Sequence, residues 1–73
     1  MSAPLFLLEP DALQGVRVGG DVVLDGPEGR HAATVRRIAV GERVDVGDGS
    51  GALARCTVVA VGKDQLTLRV DDR

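Results

Sequence analysis

Stretches that alternate polar and apolar residues with period two, interrupted at short intervals by glycine, confine this chain to small strands joined by tight turns. Arg43-Val44-Asp45-Val46 and Gln65-Leu66-Thr67-Leu68-Arg69-Val70 alternate cleanly, so Leu66, Leu68 and Val70 share one face. Twelve valines, ten glycines and a single isoleucine fit the same reading, because β-branched side chains suit a pleated surface and glycine supplies the turns. Leu5 to Leu8 reads as a first strand, Asp21 to Leu24 as a second, and Leu53 to Val61 as the strand that returns after a hairpin at Asp48-Gly49-Ser50-Gly51. Between the first two strands, Glu9-Pro10-Asp11 and Gly15 bound a loop with one turn around Ala12-Leu13.

At 73 residues the chain has room for one domain and no deep catalytic cleft between domains. Its lone Cys56 cannot close an intramolecular disulfide, and one Cys with one His falls short of a structural zinc site, so a small apolar core must hold the fold. The only apolar run near the N-terminus, Leu5-Phe6-Leu7-Leu8, follows no basic residue and is stopped by Glu9-Pro10; it is too short for a signal sequence or a membrane span. A cytoplasmic protein without membrane contact is expected.

One helix start stands out. Asp25-Gly26-Pro27-Glu28 offers a cap, a proline for the first turn and an acid where the helix dipole favours one. The pattern predicts a helix from about Pro27 to Arg37, with Gly41 as the turn signal beyond it. At about 100° per residue, Ala32, Val35 and Ile38 would pack, Arg30, Thr34 and Arg37 would face solvent, and His31 and Arg36 would flank them. The sum is five or six short strands and one helix, a mostly antiparallel small barrel or curled sheet with the helix over one opening.

The chemistry in the sequence is sparse. Cys56 lies among apolar strand residues and reads as a small buried hydrophobe; the acids are scattered through turns, where they bond backbone, so neither forms a catalytic pair. Gly47-Asp48-Gly49-Ser50-Gly51 leads into a strand and not a helix, which makes it a hairpin and not a phosphate loop. What remains is Arg30, His31, Arg36 and Arg37, four basic-capable side chains within one helix of a chain whose net charge is −2. Screening cuts exposed charge interactions off within about 8 Å, so this local cluster outweighs the total. Arginine suits phosphate, and with one aromatic residue in the chain there is no stacking platform of the RRM or cold-shock kind. The same arginines also suit a solvated face that complements the helix dipole, and His31 reads equally as a half-buried histidine bonded to backbone.

The stretch His31-Ala-Ala-Thr-Val35-Arg36-Arg37-Ile38-Ala-Val-Gly41, followed by Val44-Asp45-Val46-Gly47-Asp48-Gly49-Ser50-Gly51, resembles the N-terminal domain of the RsmE family, 16S ribosomal RNA (uracil-N3)-methyltransferases. The matching positions are His31, Val35, Arg37, Gly41 and Asp48-Gly49, without a gap, and Val22 to Gly26 and Phe6 extend the likeness over nearly the whole chain. Arg36 stands where the family usually has leucine, Gly47 where an aromatic or aliphatic residue is common, and Pro4-Leu5 where an arginine often precedes the aromatic. The first adds charge to the patch; the last removes a cation from the N-terminal strand.

The resemblance implies that residues 1–73 form a single PUA-like β barrel that helps hold ribosomal RNA and has no methyl transfer of its own; the RNA-binding candidates are the cluster read from the residues, Arg30, His31, Arg36 and Arg37, of which the family spacing also selects Arg37. Catalysis, S-adenosylmethionine binding and homodimerisation would belong to a C-terminal SPOUT domain absent from this chain. The alternative is a structural or protein-interaction barrel that packs on a catalytic partner domain without touching RNA.

Overall fold

The computed structural model describes residues 3–73. Five strands form one curled sheet: β1 (Leu5–Leu7), β2 (Asp21–Leu24), β3 (Arg43–Gly47), β4 (Leu53–Val61) and β5 (Leu66–Asp72), in the spatial order β1-β3-β4-β5-β2. Three of the four pairings are antiparallel, and β1 joins β3 in parallel. The fold is therefore mostly β and mostly antiparallel, as the alternation predicts, and it closes only half-way to a barrel.

Register explains the core. Phe6 pairs with Val46 and Val46 with Ala54; Val44 pairs with Cys56 and Cys56 with Val70; Val58 pairs with Leu68 and Leu68 with Val22. All nine point to the concave face and are buried. Because side chains alternate along a strand, a one-residue slip would turn this whole set to solvent, so the pattern fixes the pairing. Shifts in the β4–β5 ladder at Arg55/Cys56 and Val58/Ala60 are irregularities of the kind that bend strands and increase twist. Leu13 from the loop after β1, together with Ala32 and Ile38 from the connection between β2 and β3, fill the open side of the curl.

Two carboxylates bind loops to this frame. The buried Asp48 accepts hydrogen bonds from the Ser50 hydroxyl (2.5 Å) and backbone N–H (3.0 Å), which shape the β3–β4 turn, and from the Leu13 N–H (3.1 Å), which holds the first loop down. These bonds hold its carboxyl below the usual carboxylate range, the Ser50 hydroxyl contributing most and burial opposing. Glu28 accepts from the Leu7 N–H at 3.0 Å, capping an outward donor of edge strand β1. Cys56 is buried, and desolvation, with Asp71 and Asp45 adding to it, pushes its thiol up to about 11.

The helix departs from the sequence reading. The α-helix α1 covers only Gly26–Arg30, with Asp25 at its cap position making no side-chain bond, and it passes into a wider π-helical turn over His31–Val35. There the Arg36 N–H reaches the carbonyl of His31 (2.8 Å) and the Ile38 N–H reaches that of Ala32 (3.0 Å), five and six residues back instead of four. The widened turn still carries Ala32 and Ile38 into the core but swings Val35 outward, leaving it 66% exposed. The expectation that Val35 packs with Ala32 and Ile38 is wrong, because it assumed 3.6 residues per turn throughout.

Candidate nucleic-acid interface

The connection from β2 to β3 sits close against the sheet because Gly29 has no side chain. A Cβ there would lie 2.8 Å from the carbonyl oxygen of Asp64, in the β4–β5 turn, and closer still to that of Leu24. The Thr34 hydroxyl donates to the Lys63 carbonyl at 3.3 Å and joins the same turn to the π-helical segment. Pro27, Arg30, His31, Thr34, Val35 and Asp64 line an open groove of about 560 Å³ along this junction.

All four basic residues singled out from the sequence are exposed. Arg30 ends α1, His31 opens the π-helical turn, Arg36 closes it, and Arg37 lies beyond the helix in left-handed backbone with φ of 52°. Among the described residues none of their side chains makes a hydrogen bond or ion pair; the one ion pair joins Arg69 to Asp71 (3.1 Å). Arg30 and His31 share the groove, whereas Arg36 and Arg37 do not line it. The expectation that Arg30, Thr34 and Arg37 share one solvent-facing side of a regular helix is overturned, since the helix ends before Arg37. His31 is exposed, so the alternative of a half-buried, backbone-bonded histidine falls as well.

Sequence reasoning missed Lys63. It stands alone in a turn of Gly62-Lys63-Asp64, far along the chain from the basic cluster, and only the Thr34 bond and the absent Gly29 side chain reveal the neighbourhood. Asp48 was legible as a hairpin residue, but its hold on Leu13 was not. Among the described residues no cluster of His, Cys, Asp and Glu has the form of a metal site, and no helix is long and apolar enough to cross a membrane. Among the described residues the grooves of about 470 and 560 Å³ are open and do not fit S-adenosylmethionine, and the glycine-rich β3–β4 turn is occupied by the bonds of Asp48. An adenosyl group needs a concave apolar slot that buries most of its surface.

Comparison with known proteins gives a consistent set of likenesses. Residues 24–71 match the family model described as the RNA methyltransferase PUA domain. Over 72 residues the chain is 56% identical to the ribosomal RNA small subunit methyltransferase E of Mycobacterium bovis, covering 96% of this chain and 25% of that protein. The chain thus spans about a quarter of the length of the curated relatives it matches. The ribosomal RNA small subunit methyltransferase E of Neisseria gonorrhoeae, solved with S-adenosylmethionine bound, superposes with a TM-score of 0.78 at 22% identity, over 97% of this chain and 27% of that one. A crystal structure of a protein from Thermotoga maritima, described as an RNA methyltransferase, gives a TM-score of 0.66 at 24% identity, over 92% of this chain and 27% of that one.

Proposed function

Since the chain belongs to the RNA methyltransferase PUA domain family, we propose that it is the module with which a 16S ribosomal RNA (uracil-N3)-methyltransferase holds its RNA. In this reading residues 1–73 are one RNA-binding domain. A separate SPOUT-type domain of the parent protein binds S-adenosylmethionine, transfers the methyl group and forms the homodimer. The observation that carries the reading is the run Arg30, His31, Arg36 and Arg37, exposed and without intramolecular partners among the described residues. An unpaired guanidinium presents its donor fork to phosphate, and contacts of this kind fix register on a nucleic acid without reading sequence.

Salt titration of ribosomal RNA binding by the full-length protein tests it. Neutralising Z phosphates gives a log–log slope of about −0.7Z on single strands, and Arg37→Ala should weaken binding by about 1–3 kcal/mol and lower that slope by about one. Lost stability with unchanged RNA affinity would sink the role of Arg37. A second reading, a barrel that packs on a catalytic partner domain, draws support from Leu5 and Leu7 on β1 and Leu53 on β4, which are 60%, 58% and 61% exposed on the convex face on either side of β3. Absence of RNA binding at low salt would favour it.

A further inference from the structure

We propose that the groove between the π-helical turn and the β4–β5 turn receives one unpaired RNA nucleotide, its base against Val35, Pro27 and His31 and its phosphates on Arg30 and Lys63. The inference rests on the RNA-holding role above and goes beyond it, because a surface that only follows a phosphate backbone needs cations and nothing else. This groove has more. Val35 is 66% exposed and lines the groove with Pro27, Arg30 and His31, and an uncovered branched side chain gains only when another apolar face covers it. A nucleobase has such a face, and in a duplex that face is already stacked.

Two further features point to a base in the middle and phosphate at the ends. Asp64 lines the groove, and its negative charge opposes a phosphate there while a carboxylate accepts hydrogen bonds from a base amino group. His31 is the ring available for stacking, because the chain's single aromatic residue, Phe6, is buried in the core. The Thr34 hydroxyl holds the backbone carbonyl of Lys63, so a second, exposed cation starts from the turn that borders the groove, on a different element, with a stem long enough to meet a phosphate at its edge.

The test uses the full-length protein, a labelled single-stranded ribosomal RNA oligonucleotide, and the same strand annealed to its complement. The wild type should bind the single strand more tightly than the duplex. Val35→Ser should lower single-strand affinity about three- to tenfold with unchanged duplex affinity, salt slope and melting temperature, whereas Lys63→Ala should weaken both and reduce the slope by about one. A 2-aminopurine in the single strand should change fluorescence on binding, a readout that needs no variant. Equal affinity for strand and duplex, wild-type affinity in Val35→Ser, or a silent 2-aminopurine scanned through every position overturns the nucleotide site and leaves the RNA-holding role standing. No RNA binding by the wild type overturns both.

Discussion

Gly29→Ala is the substitution that tests the architecture of the interface most directly, because two effects of opposite sign compete at one atom. Gly29 lies inside α1 with helical neighbours, and alanine in a helix interior is favoured over glycine by about 1 kcal/mol. Propensity alone therefore predicts a gain. The added Cβ would sit 2.8 Å from the Asp64 carbonyl oxygen and nearer to that of Leu24. Both are backbone atoms, one at the end of β2 and the other in the β4–β5 turn, so neither can rotate away. Relieving such overlaps by backbone shifts costs about 1–3 kcal/mol per overpacked site. With two backbone contacts from different segments, the upper part of that range applies, and the net effect after the propensity gain is a loss of about 1–2 kcal/mol. For a domain of 60–100 residues each kcal/mol moves the midpoint by about 4–8 °C, which puts the expected fall in melting temperature near 10 °C. Thermal unfolding followed by far-ultraviolet circular dichroism reads it. An unchanged or raised midpoint would refute the close approach, and with it the packing that sets Lys63 beside the helix.

Other outcomes follow from burial and charge. Leu66→Ala, at a fully buried position, should cost about 2–5 kcal/mol, while Val35→Ala should stay within about 0.5 kcal/mol of wild type; equal losses in denaturant melts would contradict the exposed π-helical turn. Asp48 and Asp71 are both held below the usual carboxylate range, by Ser50 in one case and by Thr57 and then Arg69 in the other. Folding therefore binds fewer protons than the unfolded chain does, so their contribution is complete above the ordinary carboxylate pKa of about 4 and fades as pH falls through the lower folded values; a urea midpoint that rises below pH 4 would contradict it. Cys56, buried and with its thiol pushed up to about 11, should react with a maleimide at pH 7.5 only as fast as the domain unfolds, and labelling unaffected by denaturant would place it elsewhere.

The strands were legible because each carries its own evidence. Asp21–Leu24 and Leu53–Val61 have the bounds that valine content and flanking glycines suggest, and the alternation of β5 names Leu66, Leu68 and Val70 as core. What alternation cannot express is which strand neighbours which. The parallel docking of β1 on β3 joins segments some forty residues apart, and the bonds that secure it, from the Leu8 N–H to the Gly47 carbonyl (2.7 Å) and from the Asp45 N–H to the Pro4 carbonyl (2.8 Å), involve backbone alone. Backbone leaves no mark on residue choice. Asp48 left half a mark: a turn needs an aspartate for its own Ser50, but nothing local announces that a second oxygen reaches Leu13.

The basic cluster shows why composition survives where phase does not. That Arg30, His31, Arg36 and Arg37 are exposed follows from their charge, whatever backbone carries them. Their mutual arrangement depends on rise and twist per residue, and one widened turn is enough to undo it. The cause lies in the packing needs on either side of His31–Val35. Gly29 must stay under the β4–β5 turn and Ile38 must reach the core before β3 begins, and the Ile38 N–H to Ala32 carbonyl bond spans six residues to meet both. A regular helix would bury Val35 in place of that compromise and leave Arg37 on the same face as Arg30. The actual winding separates them: Arg30 and His31 stay at the groove with Val35 uncovered beside them, and Arg37 departs in left-handed backbone. Strain near the end of a helix and an uncovered apolar side chain in a basic groove are both costs to folding, and both fall on the segment where an RNA would bind.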